Sequence, residues 1–274
     1  MSLKEELQKV IAGEVDDSPA ALEVASRDAG LYIMRPEVVV RPKDAEDVCK
    51  VVQLVNEKVQ VPKTHISIVA RSAGTDMSGG PLGDSIILDM TAHFNKLVEV
   101  TKNPKVSEED SEKPEDREGF AIVEPGVYYR DFDVETEKKD LQLPSYTASR
   151  ELNTVGGMVA NNSGGEKNLN YGKTTRYVEE LEVVLSDGRV HTLKNLTGEE
   201  LQKKLGEEGF EGDLYRQVAK LITTHRQVIE DRKPKVEKNS SGYALWDIGN
   251  GTDSLNLARL RVGAQGTLGI ITRI

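Results

Sequence analysis

The sequence predicts an α+β protein made of two different units, a small α/β lobe and a larger, mainly antiparallel lobe with helices. In the first unit, short apolar runs alternate with one helical pattern, at residues 37–40, 45–57, 66–70 and 85–90. This alternation indicates a small unit with parallel strands. In the second unit, residues 179–193 form two β-rich runs around Asp187-Gly188, a dipeptide that favours a type I′ turn between antiparallel strands.

The chain divides into an arm and two lobes. Residues 1–33 are predicted as an N-terminal helical arm, residues 34–92 as the small lobe and residues 93–274 as the larger lobe. Within the larger lobe, residues 101–118 contain almost no apolar side chain. We therefore expect a charged, flexible and solvated insertion there.

Two helices near the N-terminus are predicted from their start and stop signals. Residues 2–13 have an amphipathic pattern that ends at Gly13. The helix at 45–57 is expected to begin after Asp44 as its N-cap. Asp47 lies three positions further on, in the arrangement of a capping box.

The larger lobe is expected to contain further helices and a final strand. The helices are predicted at residues 127–140, 198–206 and 212–232, and the strand at 269–274. In the longest helix an apolar stripe should face the core. This stripe consists of Leu214, Val218, Leu221, Ile222 and Val228.

The charge balance excludes some partners. The chain has 36 Lys and Arg against 46 Asp and Glu, a formal net charge of −10. Nucleic acid and anionic membranes need a basic surface, so neither is expected as the main partner. An anionic cofactor stays compatible, because a local cluster of backbone N–H groups can hold phosphate on an acidic protein.

The cysteine and histidine content narrows the class further. With Cys49 as its single cysteine, the chain cannot form an internal disulfide, which is compatible with the cytoplasm. Cys49 lies in a helical pattern and is predicted as a small buried hydrophobe. The four histidines show no metal-ligand spacing, so no metal is expected. No apolar run approaches the roughly 20 residues of a membrane span.

Three segments are rich in glycine, and each lies beside a predicted strand. They are "RSAGTDMSGG" at 71–80, "TVGGMVANNSGG" at 154–165 and "GAQGTLG" at 263–269. A turn of this kind can direct several N–H groups into one concavity. The first segment matches neither the Walker nor the Rossmann phosphate pattern. One such turn is most often only a turn, whereas three together favour one shared, long ligand with a diphosphate.

These segments, with "LPS" at 143–145, "YGKTTRYVEELEVVLSDG" at 171–188 and "KNSSGYAL" at 238–245, resemble a known family. It is the FAD-binding domain of the vanillyl-alcohol oxidase / p-cresol methylhydroxylase superfamily. The resemblance points to the FAD-linked oxidase branch, which includes D-lactate dehydrogenases and the glycolate oxidase FAD subunit. It runs from about residue 35 to the C-terminus, apart from the charged insertion. It implies a two-lobed PCMH-type fold with FAD between the lobes.

The resemblance also implies which residues bind FAD. The first segment would wrap the pyrophosphate through backbone N–H groups, the second would pass the pyrophosphate and flavin, and the third would face the adenine. The residues that match are Arg71, Ser72, Ala73, Gly74, Thr75, Asp76, Met77, Ser78, Gly79, Pro144, Ser145, Thr154, Gly156, Gly157, Asn161, Ser163, Gly164, Gly165, Tyr171, Gly172, Gly269, Ile270 and Ile271. Because the first segment has no histidine and no motif has a cysteine, FAD is expected to bind non-covalently.

Three side chains keep alternative interpretations. Arg71 could contact phosphate or could pair with a carboxylate and fix the turn. Tyr171 could border the flavin or could cap the turn before the hairpin. Lys238 could approach an anionic substrate or could be a solvated surface lysine.

The resemblance implies an FAD-dependent oxidoreductase acting on a CH–OH group, which would oxidise a 2-hydroxy acid such as D-lactate or glycolate. In this family a substrate-binding cap domain normally follows the third segment, so we expect the chain to be a fragment and name no catalytic residue. A small-molecule substrate and an electron acceptor are the expected partners, and the oligomeric state stays open. The alternatives are an oxidase of another alcohol, sugar or aryl substrate, or a non-catalytic FAD- or nucleotide-binding module.

Overall fold

The computed structural model describes residues 2–62, 65–103, 118–236 and 239–274. The helices are α1 (Leu3–Val10), α2 (Pro19–Ala25), α3 (Ala45–Val59), α4 (Tyr129–Glu137), α5 (Val155–Asn161), α6 (Asn168–Tyr171), α7 (Gly198–Gly206), α8 (Phe210–Arg232) and α9 (Leu257–Arg261). The strands are β1 (Glu14–Asp16), β2 (Val38–Arg41), β3 (Ile68–Arg71), β4 (Ile86–Asp89), β5 (Leu97–Lys102), β6 (Gly119–Val123), β7 (Glu180–Val184), β8 (Val190–Thr197), β9 (Ser254–Asn256) and β10 (Ile270–Arg273). The α+β class is confirmed. Most of the predicted charged insertion, residues 104–117, lies outside the described residues, as does Lys238.

The small lobe is built on a sheet with the strand order β1-β2-β4-β3. β4 runs parallel to both β2 and β3, with Ile87 opposite Val39 on one side and Val69 on the other. The β2 and β4 strands are apolar at successive positions because helices cover both faces of the sheet. Val48 and Val51 of α3 pack on one face, and α2 covers the other.

The N-terminal segment packs on this small sheet. β1 pairs antiparallel with β2, and α1 packs its Leu7 against α3. On the opposite face, Leu22 and Ala25 of α2 contact Val39 and Ile87. The segment predicted as an arm thus contributes a strand and two helices to the small lobe, and its apolar residues, such as Leu7 and Leu22, are buried against the small sheet.

The start of α3 carries a buried carboxylate. Asp44 is the N-cap and accepts a hydrogen bond from the Asp47 N–H, as predicted. Asp47 is itself 1% exposed. Its carboxylate accepts hydrogen bonds from the backbone N–H groups of Ala12 at 2.8 Å, Gly13 at 2.8 Å and Lys43 at 2.9 Å. Asp47 therefore fastens the chain after α1 to the start of α3, a tertiary role that the capping-box pattern did not predict.

The large lobe is an antiparallel sheet with the order β10-β7-β8-β9. One face of this sheet packs against α7, α8 and α9. The buried residues at this interface include Leu181, Val183, Leu193, Leu201, Tyr215 and Leu257. Along β8, Leu193 and Leu196 are buried whereas the other positions are partly or fully exposed, as expected for a sheet with one buried face.

The predicted hairpin between β7 and β8 is confirmed, whereas its turn type is not. Gly188 has φ +69°, but Asp187 does not have a positive φ, which a type I′ turn requires at both positions. The Gly188 N–H instead donates to the Leu185 carbonyl at 2.9 Å. The Asp187 side chain accepts from the Arg189 N–H and contacts His191 at 3.0 Å. These side-chain contacts favour a turn in which glycine alone is left-handed.

The predicted apolar stripe of α8 is wrong at two positions. Leu221 and Val228 are exposed, whereas Tyr215, Ala219 and Ile222 are buried. The buried face therefore lies next to the predicted one, because the aromatic ring of Tyr215 fills the core. The backbone of α8 is also kinked at His225, which has φ −108° and ψ 15°.

The two lobes contact each other through α3 and the β7–β8 turn. The Gln53 side chain donates to the Gly188 carbonyl at 2.9 Å, and Asn56 donates to the Ser186 carbonyl at 2.7 Å. Val184 and Ile270 of the large sheet pack with the core of the small lobe. These contacts fix the relative position of the lobes and thereby the space between them.

We predict that Asp47→Asn destabilises the fold by at least about 2 kcal/mol, because an amide cannot accept all the hydrogen bonds that the carboxylate now accepts. Urea unfolding followed by circular dichroism measures the loss. Glu46→Gln on the same helix is the control, since the Glu46 side chain is 74% exposed. Equal free energies of unfolding for the two variants would contradict the role of Asp47.

Candidate functional site

The three glycine-rich segments meet around one cavity of about 840 Å³ between the lobes. Of the predicted site residues, those that line it are Ser72, Ala73, Gly74, Thr75, Asp76, Met77, Thr154, Gly156, Gly157, Asn161, Ser163, Gly164, Gly165, Gly269 and Ile271. The volume lies in the range of about 300 to 1,000 Å³ that is typical of ligand pockets. The convergence of segments nearly 200 positions apart is the main reason to regard this cavity as a functional site.

Some predicted residues do not line the cavity. They are Arg71, Ser78, Gly79, Pro144, Ser145, Tyr171, Gly172 and Ile270. Ser145 is fully buried beside Thr174, which it contacts at 3.3 Å between the two hydroxyl oxygens. Tyr171 is 48% exposed, and its carbonyl accepts from the Tyr177 hydroxyl. For Tyr171 this geometry favours the turn over a place at the ligand.

The first glycine-rich segment presents backbone donors. Among hydrogen bonds between described residues, none uses the N–H groups of residues 73–77. Gly74 has φ +69°, a conformation that turns the chain sharply where a larger residue would also clash with the Arg71 guanidinium. Five successive N–H groups at a cavity wall form a donor set suited to an anion.

Asp76 lines the same wall, and its carboxylate accepts hydrogen bonds from residues of its own turn. One carboxylate oxygen accepts from the Ser78 hydroxyl at 2.7 Å and from the Gly80 N–H at 2.9 Å. This local turn explains the acidic residue in a segment otherwise suited to anions, because the carboxylate is already neutralised in part by its own donors.

Arg71 anchors the first segment from behind. Its guanidinium donates to the carbonyls of Arg27 at 2.7 Å and Ala25 at 3.4 Å. Burial lowers the pKa of Arg71, while the nearby carboxylates of Asp89 and Asp28 act in the opposite direction. Of the two alternatives for Arg71, the structure favours the one in which it fixes the turn, with carbonyl groups as its hydrogen-bond partners.

Asp28 completes this anchor. Its carboxylate accepts from the Gly79 N–H at 3.0 Å and from the Gly30 N–H at 2.7 Å. The Ala29 N–H donates to the carbonyls of Gly74 at 3.1 Å and Asp76 at 3.0 Å. The segment after α2 therefore holds the first loop in place, a contact that the sequence pattern did not reveal.

The second segment forms the start of α5. The Thr154 hydroxyl accepts from the Gly157 N–H at 3.1 Å and caps the helix. A Cβ atom on Gly157 would meet only the Thr154 Oγ1 at 3.3 Å and the Ser72 Cβ at 4.0 Å. A longer side chain at position 157 would consequently extend into the cavity.

The third segment is fastened to α5. The Gly263 N–H donates to the Val159 carbonyl and the Gln265 N–H to the Ala160 carbonyl, both at 2.9 Å. A Cβ on Gly80 would lie 3.3 Å from the Gln265 side-chain oxygen, so this segment also approaches the first. The three segments therefore form one continuous wall.

Residues 146–150 form a part of the wall that the sequence reasoning missed. Tyr146 is 5% exposed, and its hydroxyl donates to the Glu166 carboxylate at 3.0 Å. The Arg150 guanidinium lies over the Tyr146 ring, 4.8 Å from its centre. The motif "LPS" that we used as a predictor ends at Ser145, directly before these residues, and the residues that follow it are the ones that line the cavity.

Two buried polar groups at the cavity lack partners in the described part of the chain. They are the Asn153 Oδ1 and the Arg261 Nε. Burial lowers the pKa of Arg261 to about 10, with Tyr215 and Tyr243 raising it by a smaller amount. No pattern in the sequence pointed to Arg261, because a charged residue in a short helix is expected at the surface.

The wall thus combines free backbone donors and a buried cation with an apolar part formed by Met90, Pro125 and Ile271. This lining fits a ligand that has both an apolar part and an anionic part. In the described residues, no group of three or more His, Cys, Asp or Glu could hold a metal ion. No helix in this part of the chain is long and apolar enough to cross a membrane.

Comparisons with known proteins agree with this geometry. Residues 36–194 match a family model described as FAD binding domain. D-2-hydroxyglutarate dehydrogenase of Pseudomonas putida is 27% identical over 261 residues, which cover 94% of this chain and 24% of that protein. Glycolate oxidase subunit GlcD of Bacillus subtilis is 31% identical over 256 residues, which cover 89% of this chain and 47% of that protein. D-lactate dehydrogenase of Archaeoglobus fulgidus is 33% identical over 224 residues, which cover 76% of this chain and 44% of that protein.

A solved structure shares the fold. Alkyldihydroxyacetonephosphate synthase superposes with a TM-score of 0.60 at 18% identity, covering 98% of this chain and 38% of that one. The chain spans about a quarter to a half of the length of the three curated relatives.

We predict that Arg71→Met loosens the first segment, because the Ala25 and Arg27 carbonyls lose their donor. Amide hydrogen exchange in residues 72–80 should increase, with a loss of about 1 to 3 kcal/mol in the free energy of unfolding. Arg27→Met is the matched control, since the contact that the described chain shows for the Arg27 side chain is an exposed ion pair with Glu23. Unchanged exchange at 72–80 in Arg71→Met would refute the anchoring role.

Proposed function

The chain belongs to the family of FAD binding domains, and from this membership we propose that it forms the FAD-binding part of an enzyme that oxidises the CH–OH group of a 2-hydroxy acid. FAD is the cofactor of this family. The observation that carries the proposal is the cavity in which three glycine-rich segments and free backbone N–H groups converge.

The residues of the wall divide the work of holding FAD. We propose that the N–H groups of residues 73–77 donate to the diphosphate, because preorganised donors bind an anion with little reorganisation. Gly157 leaves room for the cofactor, and the apolar wall with Met90 and Ile271 covers ring surface. Since neither cysteine nor histidine occurs in the three segments, the attachment is proposed to be non-covalent.

Bound FAD would supply the acceptor for a hydride from the substrate carbon. The protein would supply position and exclusion of water. The buried Asn153 amide and the Tyr146–Arg150 pair lie at the cavity wall and would orient the cofactor's polar edges.

The substrate class follows from the relatives. Their names describe dehydrogenases of D-2-hydroxyglutarate and D-lactate and a glycolate oxidase subunit. The three compounds share a carboxylate next to the CH–OH carbon, so we propose a small 2-hydroxy acid as substrate, with a separate electron acceptor. A cytoplasmic location stays a prediction from the cysteine content.

The cofactor assignment is tested by adding FAD to the purified chain. We expect binding, measured as quenching of flavin fluorescence and as a bound-flavin spectrum. Gly157→Leu should weaken binding by at least about tenfold, because the side chain would occupy the cavity. Gly206→Leu is the control, since Gly206 is also helical and an added Cβ has nothing within 4 Å. A folded chain that binds no FAD would overturn the assignment.

The reaction is tested with the complete product of the gene, loaded with FAD under anaerobic conditions. We expect D-2-hydroxyglutarate, D-lactate or glycolate to bleach the oxidised flavin absorbance. At an FAD concentration that saturates the unsubstituted product but not the variant, the Gly157→Leu product should show less bleaching, because less of it holds the cofactor. Retention of FAD with no bleaching by any of the three acids would refute the substrate class and leave the cofactor assignment intact.

A further inference from the structure

Arg261 occupies an unusual position at the end of α9. Its side chain lines the cavity, and the residue is 7% exposed. Among residues 2–62, 65–103, 118–236 and 239–274, the Nε atom has no hydrogen-bond partner, and the groups close enough to influence the charge of the guanidinium are two tyrosines and no carboxylate. A buried guanidinium carries five N–H donors and a full charge, and burial without a partner is strongly unfavourable.

The neighbours of Arg261 do not neutralise this charge. Tyr215 and Tyr243 lie close enough to influence it, but neither side chain is a carboxylate that could form an ion pair. The Tyr243 hydroxyl is already within 2.8 Å of the Thr267 hydroxyl. Because Arg261 also lines the cavity, a ligand in the cavity can supply the partner that the described protein residues do not.

Other cations near the cavity are engaged differently. Arg71 donates to backbone carbonyls behind the first segment. Arg150 lies over the Tyr146 ring. Within the described chain, Arg261 is thus the arginine at the cavity wall that lacks a partner from the protein.

The position of Arg261 links it to the anionic part of the ligand. The loop that follows it, residues 264–266, lines the cavity and approaches Gly80 of the first segment through Gln265. The first segment carries the free N–H groups at residues 73–77. Of the groups in FAD, the diphosphate is the one that bears negative charge at neutral pH, and planar guanidinium groups recognise phosphate oxygens well.

We infer that Arg261 donates hydrogen bonds from its guanidinium to a phosphate oxygen of the bound FAD and balances its charge. The inference rests on the proposed function and deepens it, because it assigns the diphosphate a charged partner in addition to the backbone donors. The same recognition applies to any nucleoside diphosphate that enters the cavity.

The test compares ligands with and without phosphate. Calorimetric titrations measure the affinity of the chain for FAD, ADP, adenosine and riboflavin. Arg261→Gln should weaken FAD and ADP by at least about tenfold and change adenosine and riboflavin by less than about twofold. Arg259→Gln is the matched control, since it removes the same charge from the same helix at a residue outside the cavity lining.

A second variant guards against a purely structural effect. Arg261→Met removes an unpaired buried charge, so without ligand it should be at least as stable to urea as the wild type, while ADP binding stays weak. Arg261→Lys should recover part of the ADP affinity. Unfolding of both Arg261→Gln and Arg261→Met would show that Arg261 is structural and would overturn the inference.

The outcomes separate the inference from the function on which it rests. If the wild-type chain binds no FAD, the proposed function fails and the inference fails with it. If the wild type binds FAD, and Arg261→Gln binds FAD and ADP as tightly as the wild type does, the inference alone is wrong. Equal losses for ADP and adenosine would also overturn it, because the effect would not depend on phosphate.

Discussion

The hydrogen bonds between Arg71 and the carbonyls of Ala25 and Arg27 are the contact on which the site depends. They join β3, which ends at Arg71, to the segment after α2, and Asp28 adds bonds to Gly79 and Gly30. This anchor uses the Arg71 side chain, the carbonyls of Ala25 and Arg27 and the Asp28 carboxylate, so it leaves the N–H groups of residues 73–77 without partners among the described residues. If these N–H groups formed hydrogen bonds within the loop, they could not donate to an anion in the cavity.

The cavity exists because two lobes of different construction are held at a fixed distance. Gln53 and Asn56 of α3 bond to the β7–β8 turn, and Val184 packs into the core of the small lobe. On the other side of the cavity, backbone bonds from Gly263 and Gln265 fasten the third segment to α5. The site is therefore assembled from contacts between lobes, and its polar groups meet a ligand that must lie between them.

The acidic groups at the site are hydrogen-bonded to protein donors, although the chain has a net charge of −10. The Asp76 carboxylate accepts a hydrogen bond from the Ser78 hydroxyl in its own turn, and the Glu166 carboxylate accepts one from the Tyr146 hydroxyl. Arg71 contributes stability, and Arg261 contributes a cation at the wall whose Nε has no partner among the described residues. An acidic protein can thus present a locally favourable environment for a diphosphate, since short-range donors outweigh distant surface charges that salt screens.

The sequence by itself determined the α+β class, the principal strands and helices, the family and most of the cavity lining in the three glycine-rich segments. These features depend on local patterns: apolar periodicity, turn residues and motifs of adjacent residues. Only the tertiary structure decided that Arg71 faces away from the cavity, that Asp47 bonds to Ala12 and Gly13, that α8 buries Tyr215 in place of Leu221, and that Arg261 is buried at the wall. The direction and burial of one side chain depend on which distant residues surround it, and a single sequence does not contain that arrangement in any local pattern.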